Sequence, residues 1–242
     1  MRLALMPALV LVAGCSNEAE QAPAPRPTAT IAAPRTLVAA DLPRAFGAKI
    51  AGPHGTDPEF AVIADGEVVA TVASHVTCPP GRTVDGDPVP PTQMTACDPA
   101  LSPEGTIFTY VHTITPTAVG TVEEAPSATG PDAEAATLTD VSGALFRMTR
   151  PAPGFKGAVG YDLAQAEAAM GATNPISITL DNGQLIWRVI RGTGWRPGAP
   201  VTVWWQTTAP PAGPQQAFRL ELDGTSHRVR APFPAADKPV DR

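Results

Sequence analysis

The chain has 242 residues, with 17 basic and 23 acidic side chains for a net charge of −6, and its 29 prolines and 21 glycines interrupt the pattern throughout. The acidic balance leaves no nucleic-acid partner in view, and the frequent breakers with short apolar runs exclude a long-helix or coiled-coil protein. Enough chain is present for one large or two small domains.

The first segment is short and processed in character. Arg2 precedes a mostly apolar run from Leu3 to Val12, which ends in Val12-Ala13-Gly14-Cys15. The run is about half the roughly 20 apolar residues that a membrane-spanning helix needs. It fits the core of a secretory signal. The branched aliphatic, two small residues and cysteine resemble the lipobox of bacterial lipoproteins. That resemblance covers the first sixteen residues only. It implies cleavage after Gly14, diacylation of the Cys15 thiol and a membrane anchor. Two or more acyl chains hold a protein stably where one does not. Ser16 at the next position implies export to the outer membrane, facing the periplasm or the cell surface.

From Cys15 to Ala40 the chain is rich in Ala, Pro and Thr and has almost no periodicity. Such a stretch cannot bury enough apolar surface to order itself. Proline biases it to extended conformations of about 3.1 Å per residue. It reads as a tether, residues 15–40, following a leader, residues 1–14.

The first body of the fold is expected over residues 41–120. "FAVIADGEVVATV" places Asp65-Gly66 between two apolar runs, the signal of a hairpin with a type I′ turn. Removing Cys15 to the lipid leaves an even pair, Cys78 and Cys97, which should bridge in an oxidising exported compartment. The bridge would close a loop containing five prolines. In the chain-entropy model a loop of that size contributes on the order of 3 kcal/mol. Another strand is expected at Ile107–Thr115.

Residues 121–139, "TVEEAPSATGPDAEAATLT", are acidic and poor in bulky apolar side chains, and read as a linker. A second module is expected over 140–235, with a short tail at 236–242. Its strands begin at Ala144–Thr149. In "YDLAQAEAAMGA", Asp162 is a helix N-cap, Gln165 its capping-box partner and Gly171 the stop, with Leu163, Ala166 and Met170 as the buried stripe. "ISITLDNGQLIWRVI" and "FRLELDGTSHRV" carry hairpin turns at Asn182-Gly183 and Asp223-Gly224. Phe218, Leu220 and Leu222 alternate with Arg219 and Glu221, as in a half-buried strand. In the strand Val201–Thr207, the same alternation puts Val201, Val203 and Trp205 on one face and Thr202, Trp204 and Gln206 on the other. The fold class is therefore all-β: antiparallel β-sandwich modules, two of Ig-like or related type, with one short helix. A single sandwich with a long excursion is the alternative.

Catalytic spacings are scarce. There is no G-x-S-x-G elbow, no H-E-x-x-H and no phosphate loop. "RGTGWRPG" is a turn-rich loop with no helix pattern after it, and His54, near Asp57 and Glu59, has no identifiable nucleophile. His75 and His112 both fall in strand-like segments, and together they would supply two ligands for zinc or copper. No third ligand stands at a telling spacing, so no metal or other cofactor is expected. Asp85 and Asp87 are too few for a calcium site, which takes six to eight oxygens.

Two features point to binding. Trp204, on the polar face of its strand, and Trp195, in a Gly/Pro loop, are candidate exposed rings for a sugar or protein partner, the competing reading being that both faces of the strand are covered and the rings pack in the core or against the first module. Residues 41–120 carry three basic and nine acidic side chains, whereas residues 140–235 carry nine basic and six acidic. This excess fits either mutual charge compensation between the modules and the linker, with ordinary solvated strand faces, which is the commoner case, or a second half that meets an anionic envelope polymer or lipid headgroups. The expected function is a lipid-anchored, non-enzymatic binding or structural module of the envelope with a protein or polysaccharide partner. The alternatives are an enzyme acting on envelope polymers through His112 or His227, and a metal carrier using His75 and His112.

Overall fold

The computed structural model describes residues 33–43, 47–50, 58–79, 97–117 and 144–235. In chain order these form β1 (Arg35–Leu37), β2 (Glu59–Ala64), β3 (Glu67–Thr77), β4 (Phe108–Pro116), β5 (Leu145–Met148), β6 (Phe155–Tyr161), α1 (Leu163–Met170), β7 (Ile176–Asp181), β8 (Gln184–Val189), β9 (Val201–Thr207), β10 (Pro211–Leu222) and β11 (Thr225–Pro234). The strands make two antiparallel sheets. One has six strands in the order β1-β7-β8-β5-β10-β11, the other five in the order β2-β3-β4-β9-β6.

All three hairpin signals act as turn chemistry requires. Asp65-Gly66, Asn182-Gly183 and Asp223-Gly224 each hold two successive positive φ angles, near 48° and then between 75° and 88°. They join β2 to β3, β7 to β8 and β10 to β11. The expected two modules are not separate bodies. β4, from the first half of the chain, pairs along its length with β9 from the second half, and β9 then pairs with β6. The single-sandwich alternative describes this topology. The expected linker, residues 121–139, lies outside the described residues, and a break in composition does not limit which strands pair across it.

The apolar residues of the two sheets meet in one core. Val72, Tyr110, Ile114, Val203 and Trp205 from one sheet face Phe146, Ile178, Trp187, Phe218 and Leu220 from the other. Tyr110 and Trp205 stack at 4.6 Å between centroids, and Phe146 stacks on Phe218 at 5.1 Å. Burial pushes the Tyr110 phenol well above its ordinary range, and its hydroxyl donates to Ala209 O at 3.2 Å. Trp187, in the six-stranded sheet, donates its indole N–H to Gly160 O of β6 at 3.1 Å, so a hydrogen bond as well as packing joins the layers.

The tether expectation needs correction at its end. Arg35–Leu37, inside the stretch expected to be disordered, forms the edge strand β1 on β7, and Ala40 bridges Gly160. Backbone pairing on an open sheet edge requires no side-chain periodicity, so the segment carried no pattern to read. The bridge between Cys78 and Cys97 is formed, with the Cα atoms 6.2 Å apart.

The helix forms where expected. Asp162 Oδ1 accepts from Gln165 N at 2.9 Å, and Gly171 closes the helix at φ 67°. The Gln165 side chain, however, accepts from Thr202 N at the start of β9 at 2.9 Å instead of closing a capping box. The buried stripe is Ala166, Ala169 and Met170, with Leu163 half-buried.

Candidate basic face and the fate of the sequence candidates

Strand register decides the positions of the histidines. Ser74 lies opposite His112 and His75 opposite Val111 across the β3–β4 pair. Adjacent residues of a strand point to opposite faces, so His112 enters the core while His75 faces away from it. The two imidazoles do not converge on one ion. Among the described residues no group of three or more His, Cys, Asp or Glu side chains could hold a metal. His112 is fully enclosed, with Nδ1 3.0 Å from Ser74 Oγ and Phe218 and Phe146 against its ring at 4.7 and 5.8 Å. Burial, with a smaller contribution from the charge of His75, lowers its pKa to about 3. A sealed, neutral imidazole offers no acid–base group to a substrate in solvent. His227 lies on β11 opposite Leu220, in the other sheet. His54, Asp57, Asp85, Asp87 and Cys15 lie outside the described residues.

The two candidate tryptophans are corrected by their burial. Trp204 is 3% exposed and Trp195 is 3% exposed, so neither ring is a surface platform. The alternation of β9 is as expected: Trp205 pairs with Tyr110 toward the core, and Trp204 pairs with Val111 on the opposite face. That second face is covered too. Gly160, opposite Trp204, leaves room that a side chain would fill, since a Cβ there would stand 2.9 Å from Trp204 Cε2 and 1.8 Å from Ala40 O. Trp195 is drawn inward because its loop caps α1. Thr193 N and Arg196 N donate to Met170 O and Ala169 O at 3.1 and 3.0 Å, and the Arg196 guanidinium donates to Ala168 O at 2.8 Å. These are the carbonyls a helix leaves unpaired at its C-terminal end. The Trp195 indole then donates to Ala199 O at 2.9 Å.

The charge asymmetry takes a definite place in the fold. In the six-stranded sheet Phe146, Met148, Phe218 and Leu220 point into the core, so their neighbours Arg147 and Arg219 point outward. Arg147 lies directly opposite Arg219, and Arg219 directly opposite Arg228. Three arginines from β5, β10 and β11 therefore form a row across the strands, about 10 Å from first to last at ordinary strand spacing. In the next row Arg188 and Glu221 flank Leu145 on either side. Among the described residues Glu221 is the one carboxylate within ion-pair range of this group, 4.0 Å from Arg147 Nε, and both side chains remain about a third exposed (37% and 35%). Among the described residues Arg219, Arg228 and Arg188 meet no carboxylate. Arg230, also on β11, is instead turned to the corner with β2, where its guanidinium lies 5.7 Å from the centre of the Phe60 ring.

Sequence reasoning found the basic excess but not these residues. Three strands distant in sequence had to be placed in register before the arginines became neighbours. The fold and this face define an all-β, two-sheet protein with an arginine-bearing outer surface. Comparison with known proteins finds no matching family model, no similar curated protein and no similar solved structure.

Proposed function

We propose that the chain is a lipid-anchored protein of the bacterial cell envelope, acting as a non-enzymatic binding or structural module. Its lipobox-like N-terminus supplies the anchor at Cys15 and a place at the outer membrane, facing the periplasm or the cell surface. The two-sheet body, in the manner of Ig-like or related sandwiches, is a rigid scaffold that presents one face to a partner. The observation carrying the binding role is the outward row Arg147, Arg219 and Arg228. Like charges directly opposed across strands destabilise a sheet. A row of three is a cost to folding that an anionic partner would offset.

Two measurements test the reading together. Cells expressing the full chain are fed labelled palmitate, and their intact envelopes are then used for affinity capture through a C-terminal tag. The expected result is label on the wild-type protein, none on Cys15→Ala, and recovery of a defined envelope component. An unmodified leader in the intact mass, or cytosolic protein with free thiols at Cys78 and Cys97, would sink the proposal.

A further inference from the structure

The geometry points to one occupant for the arginine face. We infer that the outer surface of the six-stranded sheet docks on an anionic phospholipid bilayer, through Arg147, Arg219 and Arg228 with Arg188 beside them. The inference rests on the reading of Cys15 as a lipid anchor and adds a second contact to it.

Several observations converge. Guanidinium groups present planar donor forks that match phosphate oxygens, and they are more weakly hydrated than an ammonium. Here they project from β5, β8, β10 and β11, four adjacent strands of one sheet, so they reach an extended surface together. None of the described outward positions on those four strands holds an aromatic ring. Trp195 and Trp204, which would have stacked on sugar rings, are both buried. The face is thus furnished for charge and not for stacking, which favours headgroups over a polysaccharide. The acyl chains at Cys15 would hold the protein at the bilayer by themselves, and a basic face would add a headgroup contact that sets which side of the body meets the leaflet. Basic groups close to an anionic leaflet are attracted over about a Debye length, and salt weakens them. The described carboxylates near this face are Glu221, 4.0 Å from Arg147 Nε, Asp181 at the β7–β8 end and the exposed Asp223 at the β10–β11 turn, and none of them lies between the three arginines of the row.

The test uses a chain beginning at Ser16, without leader or acyl group. Every described element lies in the compact unit starting at Ala32, so the fold is kept. Cosedimentation is measured with vesicles of phosphatidylcholine alone and with vesicles of equal parts phosphatidylcholine and phosphatidylglycerol. The expected result is retention on the anionic vesicles only, lost at high salt. Replacing all three arginines, Arg147→Gln, Arg219→Gln and Arg228→Gln, should weaken retention by about tenfold or more. Lysine at the same positions should restore most of it. Thermal unfolding of each variant establishes that it is folded, and Arg228→Gln alone, at an exposed position, should give a smaller loss in the same direction. Equal retention on both vesicle types would overturn the proposal, as would glutamine variants that bind like wild type. So would capture of a soluble uronic-acid polymer by protein that ignores the anionic vesicles. Failure here with palmitate label intact removes only the docking face. Vesicle binding without palmitate label removes only the anchor.

Discussion

His112 Nδ1 stands 3.0 Å from Ser74 Oγ, directly across the β3–β4 pair, and His112 Nε2 is buried with no hydrogen-bond partner among the described residues. One side of the imidazole is therefore satisfied by the facing strand, and the other abuts the aromatic core. A buried polar atom left unpaired costs about 1–3 kcal/mol, so this pair is a weak point of the interior.

Acid should find that weak point first. The imidazole titrates near 6.5 in an unfolded chain and at about 3 in the fold, lowered mainly by burial. Between those values the unfolded chain takes up a proton that the folded chain refuses. The stability associated with neutral His112 is complete above pH 6.5 and is lost as the pH falls toward 3. The full window corresponds to a loss on the order of 5 kcal/mol. Denaturant midpoints measured from pH 7 to pH 4 should fall steeply for the wild type, and distinctly less for His112→Leu. Parallel curves for the two proteins would show that His112 does not set the acid sensitivity.

Ser74→Ala should destabilise the fold by about 1–3 kcal/mol, because it leaves both ring nitrogens of His112 without a partner. In a His112→Leu background the same serine change should cost much less, since the group it served is gone. A double-mutant cycle from equilibrium unfolding reads the difference directly. Additive effects would mean that the 3.0 Å contact contributes nothing to stability.

Gly160→Ala should be among the most damaging single-methyl additions. The new Cβ would stand 1.8 Å from Ala40 O and 2.9 Å from Trp204 Cε2, and the first of these is backbone. The Ala40 segment must then leave β6, losing the bonds from Ala40 N to Val159 O at 3.1 Å and from Tyr161 N to Ala40 O at 3.2 Å. We expect a loss of roughly 2 kcal/mol or more. Amide exchange should accelerate at Ala40 and Tyr161 first. Unchanged protection at both would refute the close approach.

Removing the bridge by Cys78→Ser with Cys97→Ser should lower stability by about 2–5 kcal/mol. Ile50 is paired with Cys97 through an isolated bridge and is hydrogen-bonded to Val76 O at 2.9 Å, so the strand end beside Cys78 should loosen with it. The unfolding midpoint of the oxidised protein with and without reductant gives the same comparison without substitution. No shift on reduction would mean that the covalent tie is redundant to the packing around Ile50.

Local chemistry was readable because it depends on neighbours in sequence. Asn182-Gly183 and its two counterparts specify type I′ turns through their own φ preferences. Asp162 caps α1 through a side chain three residues from its target, and the period-2 alternation of Phe218, Leu220 and Leu222 assigns a face to Arg219 without any partner strand. The pairing of Cys78 with Cys97 followed from counting thiols. What the tertiary structure alone decided was which strands lie side by side. Pairing β4 with β9 merged two expected modules into one sandwich, and the facing of Ser74 with His112 turned His75 away from it. Covering both faces of β9 buried Trp204, while the helix-capping loop buried Trp195. The register of β5, β10 and β11 gathered Arg147, Arg219 and Arg228 from positions up to 81 residues apart. Backbone hydrogen bonding between strands is indifferent to sequence distance and nearly so to side-chain identity, so a linear pattern holds the faces of each strand but not its neighbours.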